Sequence, residues 1–272
     1  VTSMLETKIP AVQRRERILK TIQHDGFLTV PYMAKTLRVS EMTLRRDLDM
    51  LAKKKQLTRT HGGAVSPEYF EGLEVDLVEP SIDKRATRHH EAKLAIAKRA
   101  CQMLVPGQTI ALDIGTTTFE LASLVRDISL RVFTNSMKIA TYLSQSRPSI
   151  YVPGGQVSGT EPSIVGARAI KQLNEFYFDI VFLGVSGLSV EGFYDYSLDD
   201  TEIKRALITR SKTSVVLLDS SKFDRMSVAL VARMEDIDIL ITDKRPPEKL
   251  NQALEAAGVR VELARAINSE GY

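Results

Sequence analysis

The chain has 272 residues, of which 43% are hydrophobic, 26% charged and 6% aromatic, with a single cysteine, Cys101. These figures exclude a disordered tail, a collagen-like repeat and a disulfide-stapled peptide, and a chain of this length buries roughly 70 to 75% of its unfolded surface. The formal charge of +3 divides unevenly: residues 1–65 carry 13 Lys and Arg against 6 Asp and Glu, whereas residues 66–272 carry 24 against 28, the pattern of a basic nucleic-acid-binding head on a separate body.

Ile18, Leu19 and Ile22 recur at helical spacing between Gln13 and His24, and Gly26 ends the run. A second short helix is expected over Val30–Leu37, with Pro31 at an early helical position. Ser40 then stands as a helix cap before a third helix whose Leu44, Leu48 and Leu51 follow i, i+4, i+7. Beyond Lys53-Lys54-Lys55, the stretch from Leu57 to Val65 predicts two short strands around a glycine turn. Three helices and a hairpin make a winged helix-turn-helix over residues 10–66.

Residues 67–88, with Pro67 and Pro80 and little periodicity, predict a linker. The body, 89–264, opens with an amphipathic helix over Glu91–Met103. Strands are expected at Thr109–Leu112, Arg131–Thr134, Ser149–Val152, Asp179–Leu183, Ser214–Leu218 and Ile237–Thr242. Helical patterns fall at Thr118–Val125, Lys138–Leu143, Ser163–Phe176, Thr201–Arg210 and Pro247–Ala257. This alternation predicts an α/β domain with a mostly parallel sheet covered by helices. No apolar run approaches a membrane span, no secretory signal is visible, and one cysteine suits a reducing compartment, so a soluble cytoplasmic protein is expected.

With the three leucines of the third helix facing inward, Met42, Thr43, Arg45 and Arg46 fall on its outer or flanking faces. Arginine can grip guanine bidentately and threonine can reach a base edge or phosphate, so the helix capped by Ser40 reads as a recognition helix. Arg59 and His61, beside Gly62-Gly63, suit a wing approaching the phosphate backbone, and Lys53 to Lys55 add sequence-independent charge. Paired arginines alone describe a solvated helix face and Gly-Gly alone a turn; cap, helix, hairpin and localised charge together point to DNA.

Arg14 to Val65 resembles the DNA-binding head of the DeoR family of bacterial transcriptional regulators, through Arg15, Ile18 and Leu19, Val39-Ser40-Glu41-Met42-Thr43-Leu44-Arg45-Arg46-Asp47-Leu48, and Arg59-Thr60-His61-Gly62-Gly63-Ala64. It departs from the family pattern at Lys55-Gln56, where glycine is common, and at Leu44, where isoleucine is.

In the body, Asp113-Ile114-Gly115-Thr116-Thr117-Thr118 follows a strand and opens a helix, an arrangement that offers amide and hydroxyl donors to a phosphate. Thr134-Asn135-Ser136, Pro153-Gly154-Gly155, Gly184-Val185-Ser186-Gly187 and Asp219-Ser220-Ser221-Lys222 also follow strands, where open parallel sheets bind ligands. Lys204, on a predicted helix, adds a cation. Each has a plain structural alternative: caps for Asn135 and Ser136, loop amides for Asp113, a solvated side chain for Lys222.

Ser81 to Ala264 also resembles the DeoR-family sensor, through Asp83-Lys84-Arg85, Lys93, the Leu112-to-Thr118 stretch, Thr134-Asn135, Pro153-Gly154-Gly155, Val165-Gly166, Phe182 to Gly187, Asp219 to Phe223 and Ile241-Thr242-Asp243. The resemblance implies the fold of sugar-phosphate isomerases and a phosphorylated sugar as effector. It implies phosphate at Gly115, Thr116, Thr117 and Thr118, sugar hydroxyls at Asp113, Asn135 and Asp219, charge neutralisation by Lys204 and Lys222, and Gly154 and Gly155 at the rim. Glu191 to Ser197, rich in aromatics, departs from the family's small polar residues.

The expected function is a DNA-binding regulator, read as a repressor of carbohydrate catabolism genes, in which a homo-oligomer grips double-stranded operator DNA and answers to a phosphorylated sugar. No cofactor, metal or membrane partner is expected: His24, His61, His89 and His90 lack a familiar ligand arrangement. Two alternatives stay open, a sugar-phosphate isomerase-like enzyme tethered to DNA, and an RNA-binding or assembly protein, for which Phe27 and Tyr32 are the head's only aromatics.

Overall fold

The computed structural model describes residues 9–25, 27–59, 63–66 and 80–264. The head runs α1 (Ala11–Asp25), β1 (Phe27–Thr29), α2 (Val30–Thr36), α3 (Glu41–Lys53), β2 (Thr58–Arg59) and β3 (Gly63–Val65). Its strands form an antiparallel sheet in the order β1-β3-β2. The expected hairpin is present; β1 is additional, and three residues are too few to display a two-residue period. Ile18, Ile22, Met33, Leu37, Leu44, Leu48, Leu51 and Leu57 form its core.

α3 starts where the sequence places it, because the Ser40 side chain accepts a hydrogen bond from the Thr43 amide at 3.2 Å. Its inner face also buries an acid. Asp47 accepts from Arg14 Nε and, at 3.0 Å, from Arg15 Nε, so one carboxylate ties α1 to α3.

The body begins with α4 (Ile82–Thr87) and α5 (His90–Cys101), so a helix stands within the stretch expected to be linker. Next come β4 (Thr109–Leu112), α6 (Thr116–Leu124), β5 (Arg131–Thr134), α7 (Met137–Leu143) and β6 (Ser149–Tyr151). The hairpin of β7 (Gln156–Ser158) and β8 (Ser163–Val165) precedes α8 (Ala167–Leu173) and β9 (Ile180–Gly184). A second antiparallel insertion, β10 (Gly187–Ser189) and β11 (Gly192–Asp195), leads to α9 (Leu198–Thr209) and β12 (Ser214–Leu217). β13 (Ala229–Ala232), which pairs with β11, β14 (Ile239–Thr242), α10 (Glu248–Ala256) and β15 (Arg260–Leu263) complete it.

Seven strands form one sheet in the order β15-β14-β12-β9-β4-β5-β6, parallel throughout. Side-chain alternation divides each strand between two apolar layers. Ile110, Leu112, Val132, Phe182 and Leu217 pack with Ile96 of α5 and Leu121 of α6 on one face. Ala111, Phe133, Val181, Leu183 and Val216 pack with Leu173, Ile203, Leu207 and Leu250 on the other. Each Val, Leu, Ile or Phe side chain so buried contributes about 1.5 to 3 kcal/mol.

The helix expected over Ser163–Phe176 is instead β8 followed by α8. Gly166, at a φ of +97°, turns the chain between them. α9 starts at Leu198 rather than Thr201, since the Ser197 hydroxyl accepts from the Asp200 amide. Residues Ile237 and Asp238 precede β14, behind a short 3-10 turn, Met234–Asp236.

The Asp47 tie predicts that Asp47→Ala, which leaves the buried Arg14 and the partly buried Arg15 without their shared carboxylate, destabilises the head by about 3 kcal/mol. Urea unfolding with a head-specific probe measures this, and an unchanged midpoint would remove Asp47 from that role.

Candidate functional site

α3 turns Met42, 60% exposed, and the side chains of Arg45 and Arg46 to solvent. Ser40 and Thr43 are engaged with each other, their hydroxyls 2.9 Å apart at the helix start. Arg45 lies 3.3 Å from Glu41, an exposed i, i+4 pair of the kind that holds weakly. Arg59, partly buried, is engaged within the head: it donates to the Gly63 carbonyl at 3.0 Å and meets the exposed Asp49 at 3.1 Å, fastening the wing to α3. Burial lowers its pKa, and Asp49 opposes that shift. His61 lies outside the described residues.

In the body, the chain passes from β4 outward to β5 and β6, then returns to place β9 on the other side of β4. At such a reversal the loops leaving the carboxyl ends of the two strands diverge and open a crevice. A cavity of about 220 Å³ lies there. Ile114 to Thr117 after β4 and Gly184 to Ser186 after β9 line it, with Asp195, Asp200, Lys204, Asp219 and Lys222. Arg85, Arg88, His89 and Lys93 close one side.

Gly115 is required where the two loops approach. Its φ is +150°, and a Cβ there would stand 3.2 Å from Thr118 Oγ1 and 3.8 Å from the Gly184 Cα. It caps α6 without a side-chain hydrogen bond, so the first amides of that helix keep donors available.

The floor is a buried ion pair. Lys204 Nζ contacts Asp113 Oδ2 and lies 3.0 Å from Asp195 Oδ2, while Asp113 Oδ2 also accepts from the Gly184 amide at 3.2 Å. Burial pushes the Asp113 carboxyl up to about 7, with Lys204 pulling the other way. Burial alone would lower Lys204; Asp113, Asp195 and Asp200 outweigh it and hold the ammonium above the usual lysine range. Asp113 Oδ1 and Asn135 Oδ1 are buried acceptors without a hydrogen-bond partner among the described residues.

Two further ammonium groups face the cavity without a carboxylate at ion-pair distance among the described residues. Lys93, buried, donates to the Arg85 carbonyl and, at 2.7 Å, to the Arg88 carbonyl. Lys222, partly buried, donates to the Val185 carbonyl at 2.6 Å. Desolvation, and after it the neighbouring charges of Lys222 and Arg85, lower Lys93 to about 8 against the pull of Asp219 and Glu120. Desolvation also lowers Lys222, against the pull of Asp219.

Of the residues expected at the effector site, Gly115, Thr116, Thr117, Lys204, Asp219 and Lys222 line the cavity, and Asp113 lies beneath it in contact with Lys204. Thr118 turns its hydroxyl back to the Gly115 carbonyl. Asn135 reaches the site through Asp200, its Nδ2 lying 3.4 Å from the carboxylate. Asp219 uses one carboxylate oxygen on the turn that carries Lys222, its Oδ1 accepting from the Ser221 amide and hydroxyl. Gly154 and Gly155 lie outside the lining. Gly154 donates to Gln172, and a Cβ on Gly155 would stand 2.6 Å from the Val165 carbonyl oxygen, so its small size serves packing. Sequence reasoning missed Asp200 and Glu161 as lining residues and named Arg85, Lys93 and Asp195 only within longer motifs, without a role.

Comparison with known proteins follows the same division. The DeoR-like helix-turn-helix domain matches residues 14–70, and the DeoR C terminal sensor domain matches residues 88–244. The chain is 31% identical to the HTH-type transcriptional regulator GolR of Listeria innocua, over 93% of this chain and 98% of that one. It is 32% identical to the HTH-type transcriptional regulator GlpR of Haloferax volcanii, over 93% and 97%, and 29% identical to the glycerol-3-phosphate regulon repressor of Escherichia coli K12, over 92% and 98%. A solved D-ribose-5-phosphate isomerase in complex with phospho-erythronic acid aligns with 49% of this chain and 54% of its own at 17% identity and a TM-score of 0.38, too loose a likeness to bear on fold or ligand. Among the described residues no helix is long and apolar enough to cross a membrane. With a DNA-binding head and a sensor body both matched over most of its length, the chain belongs to the DeoR family of transcriptional regulators.

Proposed function

We propose that the protein is an operator-binding repressor whose body takes up a phosphorylated sugar at the β4/β9 crevice and thereby changes the hold of its heads on DNA. The observation that carries this reading is the pair Lys93 and Lys222, two desolvated ammonium groups that share one cavity with the uncapped start of α6 and, among the described residues, donate to backbone carbonyls rather than to a carboxylate. A buried cation without a counter-ion is costly, and a phosphate dianion supplies the missing charge through short charge-assisted hydrogen bonds. Thr116 and Thr117 add hydroxyl and amide donors on the same side.

Asp200 and Asp219, which line the same cavity and each keep one carboxylate oxygen outside the hydrogen bonds described, offer acceptors to sugar hydroxyls, whereas Asp195 is tied to Lys204 and the Tyr196 amide. A relative named for a glycerol-3-phosphate regulon is consistent with a small phosphorylated polyol or sugar. The site is a binding site, not a catalytic one, in keeping with a family of regulators.

In the head, Arg45 and Arg46 read bases in the major groove, Met42 and Thr43 flank them, and Ser40 sets the helix start against a phosphate. Two heads of a homo-oligomer on paired half-sites raise affinity through effective concentration. Ligand and DNA are coupled only as far as the ligand prefers one arrangement of the protein, about 1 to 3 kcal/mol in typical cases.

For the head, Arg46→Ala should cost about 1 to 3 kcal/mol of operator affinity and relax specificity, whereas Lys54→Ala should weaken specific and non-specific duplexes alike. Fluorescence anisotropy on operator and scrambled DNA at fixed salt separates the two; an Arg46→Ala protein that keeps its discrimination overturns the assignment.

For the cavity, the sign follows from the ionisation of both partners. Lys93 loses its proton above about pH 8, whereas a phosphate monoester is already dianionic above about pH 6. Affinity for a phosphorylated sugar should therefore fall as pH rises through 8, by up to about tenfold per pH unit. Calorimetric titration between neutral and alkaline pH reads this slope, and Lys93→Met should bind more weakly with a flatter profile.

A further inference from the structure

α4 is the first described element after Ser66, the last described residue of the head. It is held to the body by charge. Lys93, from α5, donates to the carbonyls of Arg85 and Arg88 at the end of α4. The Arg85 guanidinium donates to the Pro80 carbonyl at 3.1 Å and to Glu161 at 2.9 Å, across to the loop between β7 and β8. His89, joining α4 to α5, has a φ of +53°, a backbone state disfavoured for a residue with a Cβ. The pose of α4 is thus set by these contacts rather than by local preference.

Arg85, Glu161 and Lys93 all line the cavity. Lys222 lines it too, and Arg85 acts electrostatically on both Lys93 and Lys222. Lys93 has three N–H donors and spends two on α4 carbonyls. An anion placed against its third donor is then joined, through one side chain, to the end of α4.

We propose that Arg85 is a third cationic contact for the anion, so that occupancy of the cavity fastens α4, and with it the point where the chain from the head enters the body. This rests on the reading of the cavity as an anion site. Glu161 is the carboxylate with which the anion shares the Arg85 guanidinium; a bound anion then spans α4, α5, the turn at Lys222 and the start of α6.

The test uses the full chain with inorganic phosphate as probe against chloride at equal ionic strength, combining calorimetry with amide hydrogen exchange. Phosphate should slow exchange over residues 82–90 by about tenfold or more. Arg85→Met should bind phosphate about tenfold more weakly and lose that protection. If Arg85→Met does not fold, Glu161→Gln decides: removing the competing carboxylate should tighten phosphate about threefold and increase protection of 82–90. Binding without protection of 82–90, an Arg85→Met protein that binds as the unmodified chain does, or a Glu161→Gln protein with unchanged affinity and protection overturns this inference and leaves the anion site standing. Absence of phosphate binding to the unmodified chain overturns both.

Discussion

A parallel sheet that grows outward from a central strand in both directions must part its loops at that strand, and in this body the parting falls between β4 and β9. One carboxylate spans the gap. Asp113, at the end of β4, accepts from the Gly184 amide at the end of β9 and contacts Lys204 from α9. Removing one partner of such a buried pair strands the other charge, which costs about 3 to 5 kcal/mol. The same pair that holds the loops in place therefore gives the cavity a charged floor, and the donors and acceptors above it inherit their positions from it.

Above that floor the lining carries both signs: Lys93, Lys222 and Arg85 with the start of α6, and the carboxylates of Asp200 and Asp219. A ligand with an anionic end and a hydroxylated end matches such a lining. The head uses charge differently: Asp47 absorbs Arg14 and Arg15 into the structure and Asp49 holds Arg59, leaving Arg45 and Arg46 on the outer face of α3. Neighbouring arginines thus have opposite duties, which burial and partners distinguish.

Much of the frame was legible because its signals are local. β4 and β5 run between the residues expected from sequence, since both are apolar runs bounded by turns, and Ser40 opens α3 as a cap should. The Gly115-to-Thr117 loop was legible for the same reason: small and hydroxylic residues directly after a buried strand. The three-residue strands β1, β7 and β10 and the four-residue β11 were not, because so short a segment shows no period. β15, with Arg260 and Glu262 alternating at the sheet edge, reads as polar chain. Ser163 to Phe176 looked like one helix because a buried strand and a helix face are both apolar. Arg85 and Glu161 meet across 76 positions, and no pattern in the intervening chain signals the contact. Gly154 and Gly155 were drawn to the site by following a strand, but Gly155 is small for the Val165 carbonyl rather than for a ligand.

The central claim is that a phosphorylated ligand in the β4/β9 crevice changes how the heads hold DNA. Operator affinity of the full chain, measured across a panel of phosphorylated sugars and their unphosphorylated counterparts, addresses it most directly. At least one phosphorylated member should shift operator affinity by about fivefold or more, its unphosphorylated counterpart should not, and replacing Lys93 and Lys222 together by Met should abolish the shift while preserving operator binding. A shift that survives that double replacement, or one produced equally by the unphosphorylated sugar, would contradict the account.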